Sequence, residues 1–114
     1  MANTFLCETD ASIGTSPASV FTCPSSTQST IIGLSIANRV TSQILVDVQL
    51  DASGRTSGAE DSVYLVKAAP IPVGSSLVVV GGDQKVVMEP GDVIKVTSDT
   101  ASSADVVVSH LDIT

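Results

Sequence analysis

The chain has 114 residues, of which 43% are hydrophobic, and its formal net charge at pH 7 is −7. This length suits one domain, and the apolar content is sufficient for a core, which argues against intrinsic disorder. The 5 basic residues are scattered along the chain and form no positive stripe, so nucleic acids and anionic membranes are excluded as expected partners.

The N-terminal segment has a mixed pattern. It lacks a basic start followed by a long apolar stretch, so we expect no secretion signal and synthesis in a cytoplasm. Residues 4–9 predict either the first strand of the domain or part of an N-terminal arm formed by residues 1–18. Phe5 and Leu6 are apolar without an evident place in the core, and we interpret them as candidate interface residues. Residues 19–23 predict a further strand.

The chain contains two cysteines, Cys7 and Cys23. Their spacing matches neither a zinc-binding pattern nor a CxxC redox motif. Two free thiols, a disulfide within one subunit and a disulfide between subunits all remain open at this point. A disulfide would suit a particle that is assembled inside a cell and then released into an oxidising exterior.

The clearest periodicity lies in the middle of the chain. Ile32, Leu34 and Ile36 alternate with small residues, and residues 44–50 alternate in the same way between apolar and polar positions. A period of two predicts strands with one buried face. Because residues 38–42 form a short polar connection, we predict that the two strands pair as an antiparallel hairpin.

The second half continues with short β-rich runs separated by turn residues. Residues 51–61 are polar and predict an exposed, mobile loop. Residues 89–92, Glu-Pro-Gly-Asp, predict a type II turn. The remaining strands are predicted over residues 62–68, 75–80, 84–88, 93–97 and 105–113. About eight short strands at this spacing predict an all-β fold, a single antiparallel β-sandwich of Ig-like or jelly-roll-like type that spans residues 1–114.

No residue pattern indicates catalysis or a cofactor. His110 is the sole histidine, no nucleophile is spaced to accompany it, and we predict it to lie on a strand surface or in an interface. The glycines of residues 81–83 predict a hairpin turn, since neither a phosphate-binding lysine nor a helix follows them. The acidic residues of the loops and turns follow no calcium-binding spacing, so we expect no metal. These are Asp51, Glu60, Asp61, Asp83, Glu89 and Asp92. We therefore expect neither an enzyme nor a cofactor.

Several segments taken in order resemble a family of small structural proteins of tailed bacteriophages. They are residues 31–38 (IIGLSIAN), 64–72 (YLVKAAPIP), 75–85 (SSLVVVGGDQK), 89–92 (EPGD) and 111–113 (LDI). The resemblance covers residues 28–114 and leaves out both cysteines. It implies a β-sandwich found in the virion and transfers no catalytic residue to this chain.

The resemblance and the composition together predict a non-enzymatic accessory protein of a phage particle, assembled in the host cytoplasm. We expect it to form homo-oligomers and to contact other virion proteins of the capsid, neck or tail. Its place would be the neck or collar, or the capsid surface, where it would stabilise the particle. The alternative is a receptor-binding or carbohydrate-binding module of the tail or baseplate. Carbohydrate sites use aromatic platforms, and the chain has only 1 Tyr, 2 Phe and no Trp.

Overall fold

The computed structural model describes residues 2–58, 60–81 and 83–114. Within these ranges the chain forms nine strands. They are β1 (Asn3–Ile13), β2 (Ala18–Thr22), β3 (Gln28–Asn38), β4 (Ile44–Asp51), β5 (Val63–Ile71), β6 (Ser76–Val80), β7 (Val86–Met88), β8 (Val93–Ser98) and β9 (Ala104–Ile113). None of the described residues belongs to a helix that could cross a membrane. The predicted arm, mobile loop and glycine turn include Met1, Ala59 and Gly82 respectively, which lie outside the described residues.

The strands form two sheets. Sheet A has the order β1-β9-β3-β6, with β7 also paired to β3, and sheet B has the order β2-β8-β4-β5. All of these pairings are antiparallel. The prediction of an antiparallel β-sandwich is confirmed, with nine described strands where the sequence predicted about eight.

The core between the sheets is aliphatic and comes mainly from the inner strands. Fully or nearly fully buried side chains are Ile31, Leu34, Ile36, Ile44, Val46, Val48, Ile71, Val80, Ile94, Val96, Val106 and Val108. Every second residue is buried along the whole of β9 and along β4 from Ile44 to Val48, as the period of two requires. Burial of each such side chain contributes about 1.5–3 kcal/mol.

The predicted hairpin of β3 and β4 is wrong. Both strands form, but β3 lies in sheet A beside β9, whereas β4 lies in sheet B between β8 and β5. The connection crosses from one sheet to the other, and the Asn38 side-chain amide holds it by donating to the carbonyls of Ser42 (2.8 Å) and Ile71 (2.9 Å). Alternation shows which face of a strand is buried, but it does not show which strand lies beside it. Two strands in different sheets therefore have the same alternation as two strands of a hairpin.

The predicted buried face of β3 needs one correction. Its pairing with β9 shifts register between Ile31 and Gly33, which marks a β-bulge. The bulge rotates the strand, so that Ile31 is fully buried and Ile32 only half-buried, whereas Leu34 and Ile36 keep their predicted places in the core.

The predicted turn at residues 89–92 is confirmed. The Asp92 N–H donates to the Glu89 carbonyl at 3.0 Å, and Gly91 has a φ of 94°, the conformation that a type II turn requires at its third position. A Cβ atom at Gly91 would lie 2.1 Å from the carbonyl oxygen of Gly54. The turn therefore packs closely against the loop that follows β4, and both features demand glycine.

That loop is exposed over most of its described residues, as predicted, but two of its residues are covered. Ala52 is buried, and the Arg55 side chain is only 17% exposed. The Arg55 guanidinium donates to both carboxylate oxygens of the buried Asp92 (3.0 and 2.7 Å) and to Glu89 (3.0 Å). Such bidentate contacts are specific in geometry, and they fasten this part of the loop to the turn at the end of the sandwich.

Candidate protein-binding surface

The N-terminal segment is a strand of the sandwich. β1 pairs with β9 in unbroken register from Asn3↔Ile113 to Asp10↔Val106, and a bulge follows before Ile13. β1 stands at the end of the strand order of sheet A, so its other side has no neighbouring strand among the described residues. It forms an open edge eight residues long in regular register.

One backbone hydrogen bond at the end of β1 fixes the direction of the backbone groups along this edge. The Thr114 N–H donates to the Ala2 carbonyl at 3.0 Å, which places Ala2 in a hydrogen-bonded pair with the β9 end of sheet A. In antiparallel sheets, pairs with and without such bonds alternate along the strand. The even-numbered residues from Thr4 to Asp10 therefore bond to β9. The odd-numbered residues direct their N–H and C=O groups to the open edge, and these are Asn3, Phe5, Cys7 and Thr9.

The outer face of sheet A is apolar or small along three rows of paired residues that cross the sheet. The first row is Phe5, Leu111, Thr30 and Val87; the second is Cys7, Ser109 and Gly33; the third is Thr9, Val107, Ser35 and Val78. None of these residues is charged. Phe5 is 72% exposed, Val78 65% and Val87 61%. A neutral surface with several exposed large side chains is unusual for a chain of net charge −7 and is typical of a contact surface.

The two predicted interface residues lie on opposite sides of β1. Phe5 is on the outer face of sheet A, next to Leu111. Leu6 is paired with His110 and points to the inner side, where it remains 43% exposed because β1 is the outermost strand. Both side chains are accessible, and their role in an interface stays a prediction.

The two cysteines are free and differ in accessibility. Cys7 is exposed on the outer face of sheet A. Cys23 is buried, its sulfur lies 3.3 Å from the Thr27 carbonyl and 3.4 Å from the Ser29 hydroxyl, and burial raises the pKa of its thiol. The disulfide within one subunit that the sequence left open is not formed in this structure. A bridge between subunits stays a prediction, and Cys7 is the thiol available for it.

His110 is buried, so its predicted position on a strand surface or in an interface is wrong. Its Nδ1 lies 2.7 Å from Asp112 Oδ1, its Nε2 lies 3.0 Å from Glu8 Oε2, and its ring stacks on Phe21 with 4.0 Å between centroids. The Ser29 hydroxyl donates to the same Asp112 oxygen at 2.6 Å. Because this hydroxyl faces the carboxylate and not the imidazole, the group lacks the contact that activates a serine nucleophile. This group of four side chains, Glu8, Ser29, His110 and Asp112, ties β1 to β9 and β3.

The acidic residues at one end of the sandwich are engaged with other side chains. Asp51 accepts hydrogen bonds from Lys95 (2.6 Å), Ser53 (2.6 Å) and Ser62 (2.7 Å), which hold the pKa of its carboxyl well below the ordinary value. Glu89 and Asp92 bind Arg55. Over the described residues, no group of three or more His, Cys, Asp or Glu side chains is placed to hold a metal ion.

Comparison with known proteins adds information on the fold. No protein-family model matches the chain, and the search of curated proteins found no significant match. One similar solved structure is a protein of Bacillus endospore appendages, described as a family of disulfide-linked pili. Its TM-score is 0.54 at 13% sequence identity, and the match covers 99% of this chain and 87% of that chain. The similarity extends over the whole sandwich, including β1.

Proposed function

We propose that this protein is a non-enzymatic structural subunit that assembles in multiple copies and acts as an accessory protein of a tailed-phage particle. The observation that carries the proposal is the set of three uncharged rows on the outer face of sheet A, with Phe5 exposed on the edge strand β1 and Val78 and Val87 exposed on β6 and β7. Covering such a face removes apolar surface from water, which is the main favourable term in protein association. The acidic remainder of the surface keeps the free subunit soluble.

The phage assignment draws support from the resemblance of residues 28–114 to small β-sandwich proteins of tailed phages. In such a particle the protein would sit at the neck or collar or on the capsid surface. Its partners would be further copies of itself and other virion proteins. Subunits that bind the assembled particle and not its separated components shift the equilibrium toward the assembled state, and this is the mechanism of stabilisation.

A second candidate is a subunit of an extracellular fibre. The pilus protein that shares this fold belongs to a family of disulfide-linked pili, and this chain exposes one free thiol, Cys7. An exposed thiol on a contact surface suits covalent linkage between subunits in an oxidising exterior. The two candidates differ in closure, because a ring or shell subunit forms closed assemblies whereas a fibre subunit forms open ones.

Quantitative mass spectrometry of purified phage particles tests the first proposal. The number of copies per particle is calibrated against the major capsid protein. Hundreds of copies indicate a position on the capsid surface, and about six to a few dozen copies indicate a ring at the neck. Absence of the protein from the particle contradicts the phage assignment. Electron microscopy of the purified protein at high concentration under oxidising conditions then separates the alternatives, since open filaments support the fibre candidate and closed assemblies support the virion candidate.

A matched pair of variants tests the outer face of sheet A itself. Val78→Asp places a charge on this face, whereas Val73→Asp places the same charge on an exposed side chain between β5 and β6, at 56% exposure. We expect Val78→Asp to disrupt assembly and Val73→Asp to leave it intact. Equal assembly of the two variants would exclude the outer face as the contact surface.

A further inference from the structure

The open edge of β1 has a second property besides its exposure. From Asn3 to Asp10 the strand contains no proline, lysine or arginine, and its register with β9 is unbroken. These residues and bulges are the devices by which natural sheets prevent unwanted strand addition. The backbone groups of Asn3, Phe5, Cys7 and Thr9 are therefore directed at solvent along an edge whose regular part lacks proline, basic residues and bulges; its two acids, Glu8 and Asp10, lie on the inner side, and Glu8 is held by His110.

We propose that β1 of a second copy of this chain pairs antiparallel with this edge, across a two-fold axis at Leu6, so that sheet A continues through both subunits. The proposal rests on the self-assembly in the proposed function and names the contact by which two copies meet. An antiparallel pair of identical edges is self-complementary, as a closed two-fold interface requires.

The position of the axis follows from the direction of the backbone groups. With the axis at Leu6, Asn3 pairs with the partner's Thr9, and Phe5 pairs with the partner's Cys7. These pairs and their symmetry equivalents are all of the hydrogen-bonded kind, so the interface contains about eight new backbone hydrogen bonds. Each odd-numbered residue from Asn3 to Thr9 then finds a partner within the regular part of the strand.

The charges of β1 also favour this register. Glu8 faces the partner's Thr4, and Asp10 faces the partner's Ala2, so no like charges stand opposite each other. An axis at Glu8 would place two glutamates directly opposite, which is destabilising. An axis at Cys7 would pair Asn3 with the partner's Ala11, beyond the residues in regular register with β9. Of these three, the axis at Leu6 pairs all the open backbone groups and opposes no acids.

The side chains at the centre of the contact are apolar. Leu6 meets the partner's Leu6 on the inner side of the sheet, and Phe5 covers the partner's Cys7 on the outer face. Both Phe5 and Leu6 are exposed in the single subunit and become covered in the pair. Because each copy carries a net charge of −7, we expect the pair to be stronger at high salt, where the long-range repulsion is screened.

Site-directed disulfide formation tests the register. Leu6→Cys in a Cys7→Ser background places two thiols opposite each other at a pair without hydrogen bonds, where Cα atoms are about 4.5 Å apart and a disulfide fits. Thr4→Cys in the same background is the matched control, because it faces the partner's Glu8. Cys23 is buried and is retained in both variants. On mild oxidation we expect a shift to twice the monomer mass for the first variant and none for the second.

Several outcomes would overturn the pairing. Rapid disulfide cross-linking of the wild-type protein through Cys7, with no cross-linking of the Leu6→Cys variant, would place the two-fold axis at Cys7 and refute this register. A non-covalent dimer in light scattering that cross-links at neither position would place the contact elsewhere; the edge pairing would then fail while self-assembly in the proposed function would stand. A protein that stays monomeric at all concentrations and salt levels would contradict both.

Discussion

The sandwich has two long edge strands, β1 in sheet A and β5 in sheet B, and they are built in opposite ways. Pro70 lies within β5, Ala68 has a φ of 54°, and the pairing of β5 with β4 is interrupted twice by register shifts. Lys67 lies on the same strand, 3.2 Å from Asp47 and above the ring of Tyr64. Proline, lysine and bulges together protect β5 against strand addition.

β1 has none of these devices before its bulge near Ser12, although it is as exposed as β5. Its backbone is extended and regular, and its side chains alternate between a neutral outer face and an inner side that carries Glu8 and Asp10. The contrast indicates that the fold prevents association at one edge and leaves it available at the other. The proposed contact, the open edge of β1, is thus the long edge strand that lacks proline, lysine and register shifts.

The largest effect is expected from loosening the attachment of β1. Asp112→Ala removes the acceptor shared by His110 and Ser29, and it leaves two buried polar groups without this partner. We expect the free energy of unfolding to fall by about 3 kcal/mol. Asp105→Ala is the control, because its contacts with Arg39 and with the Ser12 N–H of β1 are exposed to solvent and contribute within about 1 kcal/mol. Urea unfolding that shows equal losses would contradict a structural role for the buried group.

Prolines at two adjacent positions of β1 distinguish the side of the strand that bonds to β9 from the side that faces solvent. Leu6→Pro removes an N–H that bonds to β9 and should destabilise the fold by about 1–3 kcal/mol. Cys7→Pro removes an N–H that faces solvent, so it should leave more of the stability intact while abolishing dimer formation. Thermal unfolding and sedimentation velocity measure the two effects. A Cys7→Pro variant that still dimerises would refute the pairing of β1.

Removing a protecting residue from β5 should make the two edges more alike. Lys67→Thr deletes the charge on this edge strand, and we expect increased self-association with a change in stability within about 1 kcal/mol. Arg39→Thr removes one positive charge from an exposed ion pair in the connection between β3 and β4, so it is the control for net charge. Light scattering that rises equally for both variants would mean that charge, and not edge protection, governs association.

The smallest effect concerns the start of β5, which Asp51 anchors by accepting from Ser62 and Lys95. The pKa of Asp51 is lowered in the folded state, so its contribution is present above its ordinary pKa of about 3.9 and is lost as the pH falls. Asp51→Asn should be less stable than wild type by about 1 kcal/mol at pH 6, and the difference should narrow below about pH 4. A difference that does not change with pH would exclude the ionised form as the source of the stability.

Much of the fold followed from local pattern, because alternation and turn chemistry are local properties. The type II turn required only Pro90 and Gly91, and the buried face of β4 required only its period of two. The pairing of β3 and β4 did not follow, because a strand with one buried face can take either sheet and the choice depends on distant strands. The bulge between Ile31 and Gly33 did not follow either, because it arises from the pairing of β3 with the distant strand β9.

Two features of the site had different signals in the sequence. His110 stands two residues after Val108 in an alternating strand, so the period of two already placed it on the buried face, together with Asp112 two residues further on. The missing part was its second carboxylate partner, Glu8, which lies far away in sequence on β1. Arg55 gave no such signal, because its partners Glu89 and Asp92 lie far away in sequence. They come near Arg55 only because the turn packs against the loop that follows β4. The open edge of β1 required the order of the strands, which composition and periodicity do not contain.

Amide hydrogen exchange at two protein concentrations tests the central claim most directly, residue by residue. In dilute solution the amides of Leu6 and Glu8 should be protected by β9, and those of Phe5, Cys7 and Thr9 should exchange rapidly. At high concentration the odd-numbered amides should become protected as well, with no change along β5. Odd-numbered amides that exchange equally fast at both concentrations, or protection that grows on β5 instead, would contradict assembly through the β1 edge.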